Sequence, residues 1–173
     1  MPSKKATIIL SIFFLSCQTM KKDLAVVDSV DLKRYAGTWF EIAKLPNSFE
    51  KGLKCVKATY SIRGDGKIQV INEGINVKKD NRHQTIKGVA YLPDKTVLAK
   101  LKVRFFWPFS GNYWIIDLDK ENYQYALIGE PSRKYLWILC RSKIMDDALY
   151  TRLINKAKED GFDTSKVEMT LQE

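Results

Sequence analysis

The sequence predicts an all-β protein, an eight-stranded antiparallel up-and-down barrel with one C-terminal α-helix and a short final strand. Three observations carry this. From Gly37 onward apolar and polar residues alternate with a period of two. Turn residues break that alternation about every ten residues, the rhythm of an antiparallel meander. A single stretch near the C-terminus carries a helical apolar stripe instead. Eight such strands could close as a barrel or stack as a sandwich. The long uninterrupted meander favours the barrel, which also leaves no exposed sheet edge.

The N-terminus comes first in the chain and stands apart. Lys4 and Lys5 precede an apolar run from Ile8 to Leu15, and Ser16 leads into Cys17. A charged start, an apolar centre and a small residue before a break make residues 1–16 a secretory signal peptide. The run is about half the ~20 residues of a spanning helix. Residues 17–30 show no strong period and read as a tether, and residues 31–173 as one barrel domain. The chain of 173 residues is long enough for a real core, and its 45% hydrophobic content is that of a globular protein.

Along the domain, one strand opens at Trp39. In residues 55–63, Val56, Ala58, Tyr60 and Ile62 share a face, and Gly64-Asp65-Gly66 makes a tight hairpin into Ile68, Val70 and Asn72. The clearest strand is 97–105, with Val97, Ala99, Leu101, Val103 and Phe105 on one face and Lys100, Lys102 and Arg104 on the other. Further strands are expected at 83–92, 113–118, 123–128 and 135–141. Asp146 and Asp147 open a helix whose stripe is Leu149, Leu153 and Ala157, with Gly161 as terminator. Val167, Met169 and Leu171 suggest the last strand.

Two motifs resemble a known family. Gly37-Thr38-Trp39-Phe40-Glu41-Ile42-Ala43 resembles the first lipocalin signature, and Leu136-Trp137-Ile138-Leu139-Cys140-Arg141 resembles the last. Asn112–Asp119 fits the middle signature loosely. Ala58-Thr59-Tyr60-Ser61 and Glu159-Asp160-Gly161-Phe162-Asp163 resemble bacterial outer-membrane lipocalins, with apolipoprotein D and plant temperature-induced lipocalins as more distant relatives. The resemblance covers residues 28–172. It implies a binder of a small hydrophobic ligand, a lysophospholipid or a fatty acid, handled in envelope maintenance, with no cofactor and no catalysis. Other readings are a carrier of a retinoid or pigment, or a lipid-modifying enzyme on the same barrel.

Phe14-Leu15-Ser16-Cys17 resembles a bacterial lipobox, which implies an acylated Cys17 (palmitate or similar chains). Gln18 stands where aspartate would signal inner-membrane retention, so the outer membrane, periplasmic face, is favoured. The formal net charge of +9 falls by two when residues 1–16 are removed. The surplus is scattered, and export argues against nucleic acid.

Gly37, Trp39 and Arg141 are expected to be structural, with Arg141 across the indole face at the closed end. Cys55 is expected at the open end and Cys140 at the closed end, too far apart to pair, so both thiols are expected free. Ligand-contact candidates are the inward residues Tyr60, Asn72, Leu101, Val103, Phe105, Tyr113, Tyr125 and Trp137. Each could equally be barrel filler. Small inward residues (Ala43, Ala58, Ala90, Ala99) leave room for a ligand. Glu41, on the same face, needs a partner if buried. His83 is expected to be solvated, and no serine or metal-ligand spacing supports catalysis. Phe105-Phe106-Trp107-Pro108-Phe109 either packs under its loop or forms a lip for a membrane or for the second subunit of a homodimer.

Overall fold

The structure is a computed structural model and describes residues 23–173. The expected signal peptide, residues 1–16, and Cys17 lie outside the described residues. A short helix α1 (Leu32–Tyr35) is followed by eight strands: β1 (Gly37–Lys44), β2 (Leu53–Ile62), β3 (Ile68–Asn76), β4 (Arg82–Tyr91), β5 (Lys100–Phe106), β6 (Phe109–Leu118), β7 (Tyr125–Gly129) and β8 (Leu136–Cys140). Helix α2 (Asp147–Glu159) and strand β9 (Glu168–Met169) follow. Each strand pairs antiparallel with the next, β8 returns to β1, and β1 also pairs with β2, so the sheet closes. The closed, eight-stranded antiparallel barrel with one helix after it is the architecture the sequence predicts, and the short α1 before β1 is an addition.

Two apolar clusters follow from that alternation. Inward side chains fill the barrel: Trp39, Tyr60, Val70, Leu101, Ile115, Ile128 and Leu139 among others. The opposite faces of β6–β8, including Ile116, Leu127, Leu136, Ile138 and Cys140, meet Leu153 and Ala157 of α2. Asp146 caps that helix, its side chain accepting from Leu149 N at 3.0 Å. Its C-terminus turns at Gly161, φ 87°, with Phe162 N bonded to Ala157 O and Gly161 N to Lys158 O, both 3.0 Å. That pair of bonds is a Schellman motif, for which glycine is the favoured residue. Phe162 then covers Gly129, where a β-carbon would lie 2.6 Å from its ring.

The tail completes the wall. The β1–β2 pairing ends at Phe40–Lys57, and the C-terminal segment fills the gap above it. Thr170 N bonds to Ile42 O (2.9 Å) and Cys55 N to Leu171 O (2.6 Å). Gln172 Nε2 donates to Glu41 O (2.7 Å) and Val56 O (2.9 Å), tying the two strands together. Met169 and Leu171 face solvent, 60% and 71% exposed, while Thr170 is buried. Of the apolar stripe expected of a final strand, Val167 packs on the cluster under α2, while Met169 and Leu171 point outward.

Other local differences have plain causes. Residues 97–99 form a turn, not the start of β5, because Asp94 draws the Thr96 backbone N–H (2.8 Å) and Lys100 N reaches back to Val97 O (3.0 Å). Leu24 and Val30, in the segment read from sequence as a tether, are each only 4% exposed. Val27 N bonds to Ile115 O at 3.0 Å. Residues 24–30 thus lie against the barrel.

Candidate ligand-binding site

The barrel has unlike ends. Turns β2–β3, β4–β5 and β6–β7 gather at one end with α1, and β1–β2, β3–β4, β5–β6 and β7–β8 gather at the other. The first end is sealed. Trp39 is fully buried, its Nε1 donates to Tyr35 O at 2.8 Å, and its ring lies 4.9 Å from that of Tyr35. The Arg141 guanidinium sits 3.9 Å above the indole centroid. It also points at the carbonyls of Thr38, Arg34, Tyr35, Ala36 and Tyr123 at 2.8–3.2 Å. Gly37, φ 98°, passes so close that a β-carbon would be 3.2 Å from Arg141 Nη1. The Gly-x-Trp and closing arginine thus act together as an end plate.

Above this plate, Tyr113 hydroxyl bonds to Tyr35 hydroxyl (2.6 Å) and Tyr60 hydroxyl (2.9 Å). Desolvation raises all three phenols, Tyr60 to about 12, so they stay neutral and hydrogen-bonded. They make the floor of the cup.

Higher on the wall, burial falls off although the residues still point inward. Leu101 is buried, but Val103, Phe105, Trp137 and Ala58, all packed on the interior cluster, are only half-buried. Asn72 pairs with Ala58 and lies two residues from the inward Val70. Its Oδ1 is buried without a hydrogen-bond partner among the described residues. An inward face that keeps accessible surface inside a closed wall is a cup open to solvent.

Seven of the eight residues proposed from sequence as ligand contacts lie on this interior: Tyr60, Asn72, Leu101, Val103, Phe105, Tyr113 and Trp137. Tyr125 does not. It belongs to the cluster under α2, with Arg152 stacked 4.9 Å from its ring. Tyr123 has positive φ (56°) and stands before the strand, so alternation counted from it places Tyr125 on the wrong face. Ala43 is likewise outside. A bulge between Glu41 and Ala43 puts Ile42 and Ala43 in the outer cluster, because one extra residue reverses every side chain after it. The same bulge turns Lys44 inward, opposite Trp137.

Sequence reasoning missed the ionic cluster this creates. Lys44 Nζ reaches Glu41 Oε1 at 2.9 Å, and the Thr170 hydroxyl donates to the same oxygen. Glu50, on the β1–β2 loop, accepts from Asn47 Nδ2 (2.6 Å) and from Trp137 Nε1 (3.1 Å to its nearer oxygen). Burial, with Glu41 close by, pushes the Glu50 carboxyl up to about 7. The i,i+3 spacing of Glu41 and Lys44 in a strand is readable only once a bulge is allowed. The two other cysteines are free, Cys140 buried in the outer cluster and Cys55 half-buried beside the tail.

A closed antiparallel barrel with one sealed end, an accessible cup and a helix on its flank is the build of a lipocalin, and the chain belongs to that family. The family model of the lipocalin-like domain matches residues 30–172. Outer membrane lipoprotein Blc of Escherichia coli (strain K12) is 43% identical over 161 residues, covering 93% of this chain and 90% of that protein. Temperature-induced lipocalin-1 of Arabidopsis thaliana is 42% identical, covering 89% and 86%. Apolipoprotein D of Macaca fascicularis is 35% identical, covering 86% and 80%. Among solved structures, insecticyanin from the tobacco hornworm Manduca sexta superposes with a TM-score of 0.68 at 28% identity, covering 87% of this chain and 85% of that one.

Proposed function

We propose that this protein is a membrane-tethered carrier or store that holds one single-tailed lipid, a lysophospholipid or a fatty acid, in the barrel during envelope maintenance. The observation that carries this is the half-buried inward wall of Ala58, Val103, Phe105 and Trp137 above a tyrosine floor. Such a wall suits an alkyl chain. Ten to twelve methylenes at ~0.8 kcal/mol each give roughly 8–10 kcal/mol gross. Association and ordering take back several. The tail alone then leaves roughly 4–6 kcal/mol, a dissociation constant between about 0.04 and 1 mM, so tighter capture needs contacts with the head group as well.

Tyr60, Asn72, Leu101, Val103, Phe105, Tyr113 and Trp137 are the proposed contacts. The chain acts as a binder and not an enzyme. Mass spectrometry of lipids co-purifying with the intact protein is the primary test, paired with tryptophan quenching by a lysophospholipid. Both lipid and quenching are expected, and neither appearing would overturn the proposal. Recovery of a chemically changed lipid would point to an enzyme, and a co-purifying retinoid or pigment to another cargo.

The tether is proposed to run from an acylated Cys17 after removal of residues 1–16, at the outer membrane, periplasmic face. The lipobox-like Phe14–Cys17, Gln18 after it, and the naming of the similar Escherichia coli protein as an outer membrane lipoprotein support this. At ~0.8 kcal/mol per buried methylene, more than one acyl chain is needed for stable anchoring. A Cys17→Ala variant is expected to leave the membrane fraction, and normal attachment would defeat the anchor.

A further inference from the structure

A lipid held tail-down presents its polar head to the mouth, and the mouth has an uneven chemistry. Its buried cation is committed: Lys44 Nζ lies 2.9 Å from Glu41 Oε1 and 3.4 Å from Thr170 Oγ1. Lys44 is itself only 6% exposed and its charge is neutralised by Glu41, 2% exposed, so it offers an anionic head little, and drawing it away from Glu41 would strip a buried charge of its partner. Among the described residues Glu50, 7% exposed, has only neutral hydrogen-bond partners, Asn47 and Trp137.

Three aromatic rings stand beside it. Phe49 lies 5.8 Å from Tyr135 and 6.4 Å from Trp137, and Tyr135 stacks on Trp137 at 5.9 Å with planes 6° apart. Phe49 and Tyr135 are 60% and 37% exposed, so ring surface is open to an incoming group. Within the cup Asn72 Oδ1 is an acceptor with no donor among the described residues. Carboxylate, ring faces and amide oxygen all call for donors or positive charge.

We propose that the mouth selects lipids with an ammonium head, ethanolamine or choline lysophospholipids, over fatty acids and lysolipids whose heads are only anionic. Glu50 and the faces of Phe49, Tyr135 and Trp137 receive the ammonium, and Asn72 Oδ1 accepts the free glycerol hydroxyl. This rests on the single-tailed lipid cargo proposed above. Quaternary ammonium is well held by aromatic faces, more strongly when desolvated. The phosphate, which links the glycerol to the ammonium, lies between them at the rim, where the flanking loops carry the exposed Lys51, Lys78 and Lys79.

The groups that face Glu50 are Glu41 and Lys44 from β1 and the phenol of Tyr60 from β2. With the carboxyl at about 7, a bound ammonium favours the ionised form. Affinity for an ammonium lipid therefore rises with pH through that range, and affinity for a fatty-acid carboxylate falls.

The experiment measures dissociation constants by tryptophan fluorescence for tail-matched lysophosphatidylethanolamine, lysophosphatidylcholine, lysophosphatidylglycerol and palmitate, with the full-length protein at pH 6 and pH 8. At pH 8 the two ammonium lipids are expected to bind about ten-fold more tightly than the glycerol lipid, one carboxylate–ammonium contact with its cation–π support. The ratio narrows at pH 6. Glu50→Gln is expected to bring the ratio close to one. Phe49→Ala, at an exposed position, is expected to lower it a few-fold without touching the core. Equal affinity for all four lipids in the wild type, or an unchanged ratio in both variants, overturns head selection while leaving the lipid cup intact. If no lipid binds, the cup itself falls and head selection with it.

Discussion

Each end of the barrel sets a tryptophan beside a charged group, and the two pairs are built to opposite purposes. At the closed end Trp39 is fully buried, and the Arg141 guanidinium above it faces five backbone carbonyls. At the open end Trp137 is half-buried, and the Glu50 carboxylate it holds has neutral partners and a carboxyl pushed up to about 7. The first pair satisfies its charge with fixed dipoles and locks the chain. The second leaves a charge under-compensated beside accessible rings. Local rules of polar satisfaction are kept where the barrel must hold and relaxed where a ligand must enter.

The largest way to break this contrast is at the sealed end. Trp39→Ala removes a fully buried indole and the surface that Arg141 covers. It is expected to cost about 3–5 kcal/mol, the usual range for Trp→Ala in a core. Urea denaturation reads it as a lower midpoint at unchanged slope. Arg141→Met is expected to cost about 3 kcal/mol, since it leaves carbonyls that had a charged donor. The double variant should lose less than the sum, because the two share one contact. Strict additivity would show that the stack contributes nothing.

The next effect lies at the open end and has the opposite sign. Glu50 has a folded-state value raised above its ordinary 4.5 to about 7. A carboxyl raised on folding favours the folded state while it is protonated. That contribution is complete below about 4.5 and is lost as pH climbs to 7 and beyond. Glu50→Gln keeps an oxygen for Trp137 Nε1 and cannot ionise. It is therefore expected to be more stable than the wild type at pH 8 by roughly 1–3 kcal/mol and nearly equal at pH 4. Parallel urea curves at the two pH values check this, and a gain that does not depend on pH would refute it.

The same contrast explains what the sequence could and could not tell. The sealed end is written in contiguous motifs, Gly37-x-Trp39 and the terminal Arg141, whose chemistry follows from residue type, and the helix stripe Leu149, Leu153, Ala157 is as plain. The inward faces of β2, β3, β5 and β8, and of β6 before its bulge, follow from simple alternation, which is why seven of the eight proposed contacts fall inside the barrel. The errors arise where alternation is reset. One extra residue at Ile42 turns Ala43 out and Lys44 in. The positive φ of Tyr123 shifts the phase of β7 and sends Tyr125 under the helix. The Glu41–Lys44–Thr170 group joins residues far apart in the chain through a bulge and a C-terminal segment laid into the wall. No periodicity in the sequence signals such a junction.

The smallest effect on stability is expected at the most exposed part of the open end. Phe106, Trp107 and Phe109 of the β5–β6 turn are 68%, 82% and 78% exposed. They do not pack under the loop, and a lip for a membrane or for a second copy is the reading put to test. Trp107→Ser should change folding stability by less than about 0.5 kcal/mol, as surface substitutions away from caps and networks do. Its consequence should appear elsewhere. On a Cys17→Ala background, where no acyl chain can hold the protein, residual sedimentation with anionic vesicles is expected to depend on the lip and to fall in the Trp107→Ser variant. The basic surface adds an attraction that salt weakens, so the two contributions separate in a salt titration: the charge-driven part fades with salt and the lip-driven part persists. A dimer of the Cys17→Ala protein that Trp107→Ser makes monomeric, with vesicle binding unchanged, would instead assign the lip to a subunit interface. Either way, the variant that scarcely alters stability is the one that tests what the open end faces, just as the variants at the sealed end test what keeps the barrel shut.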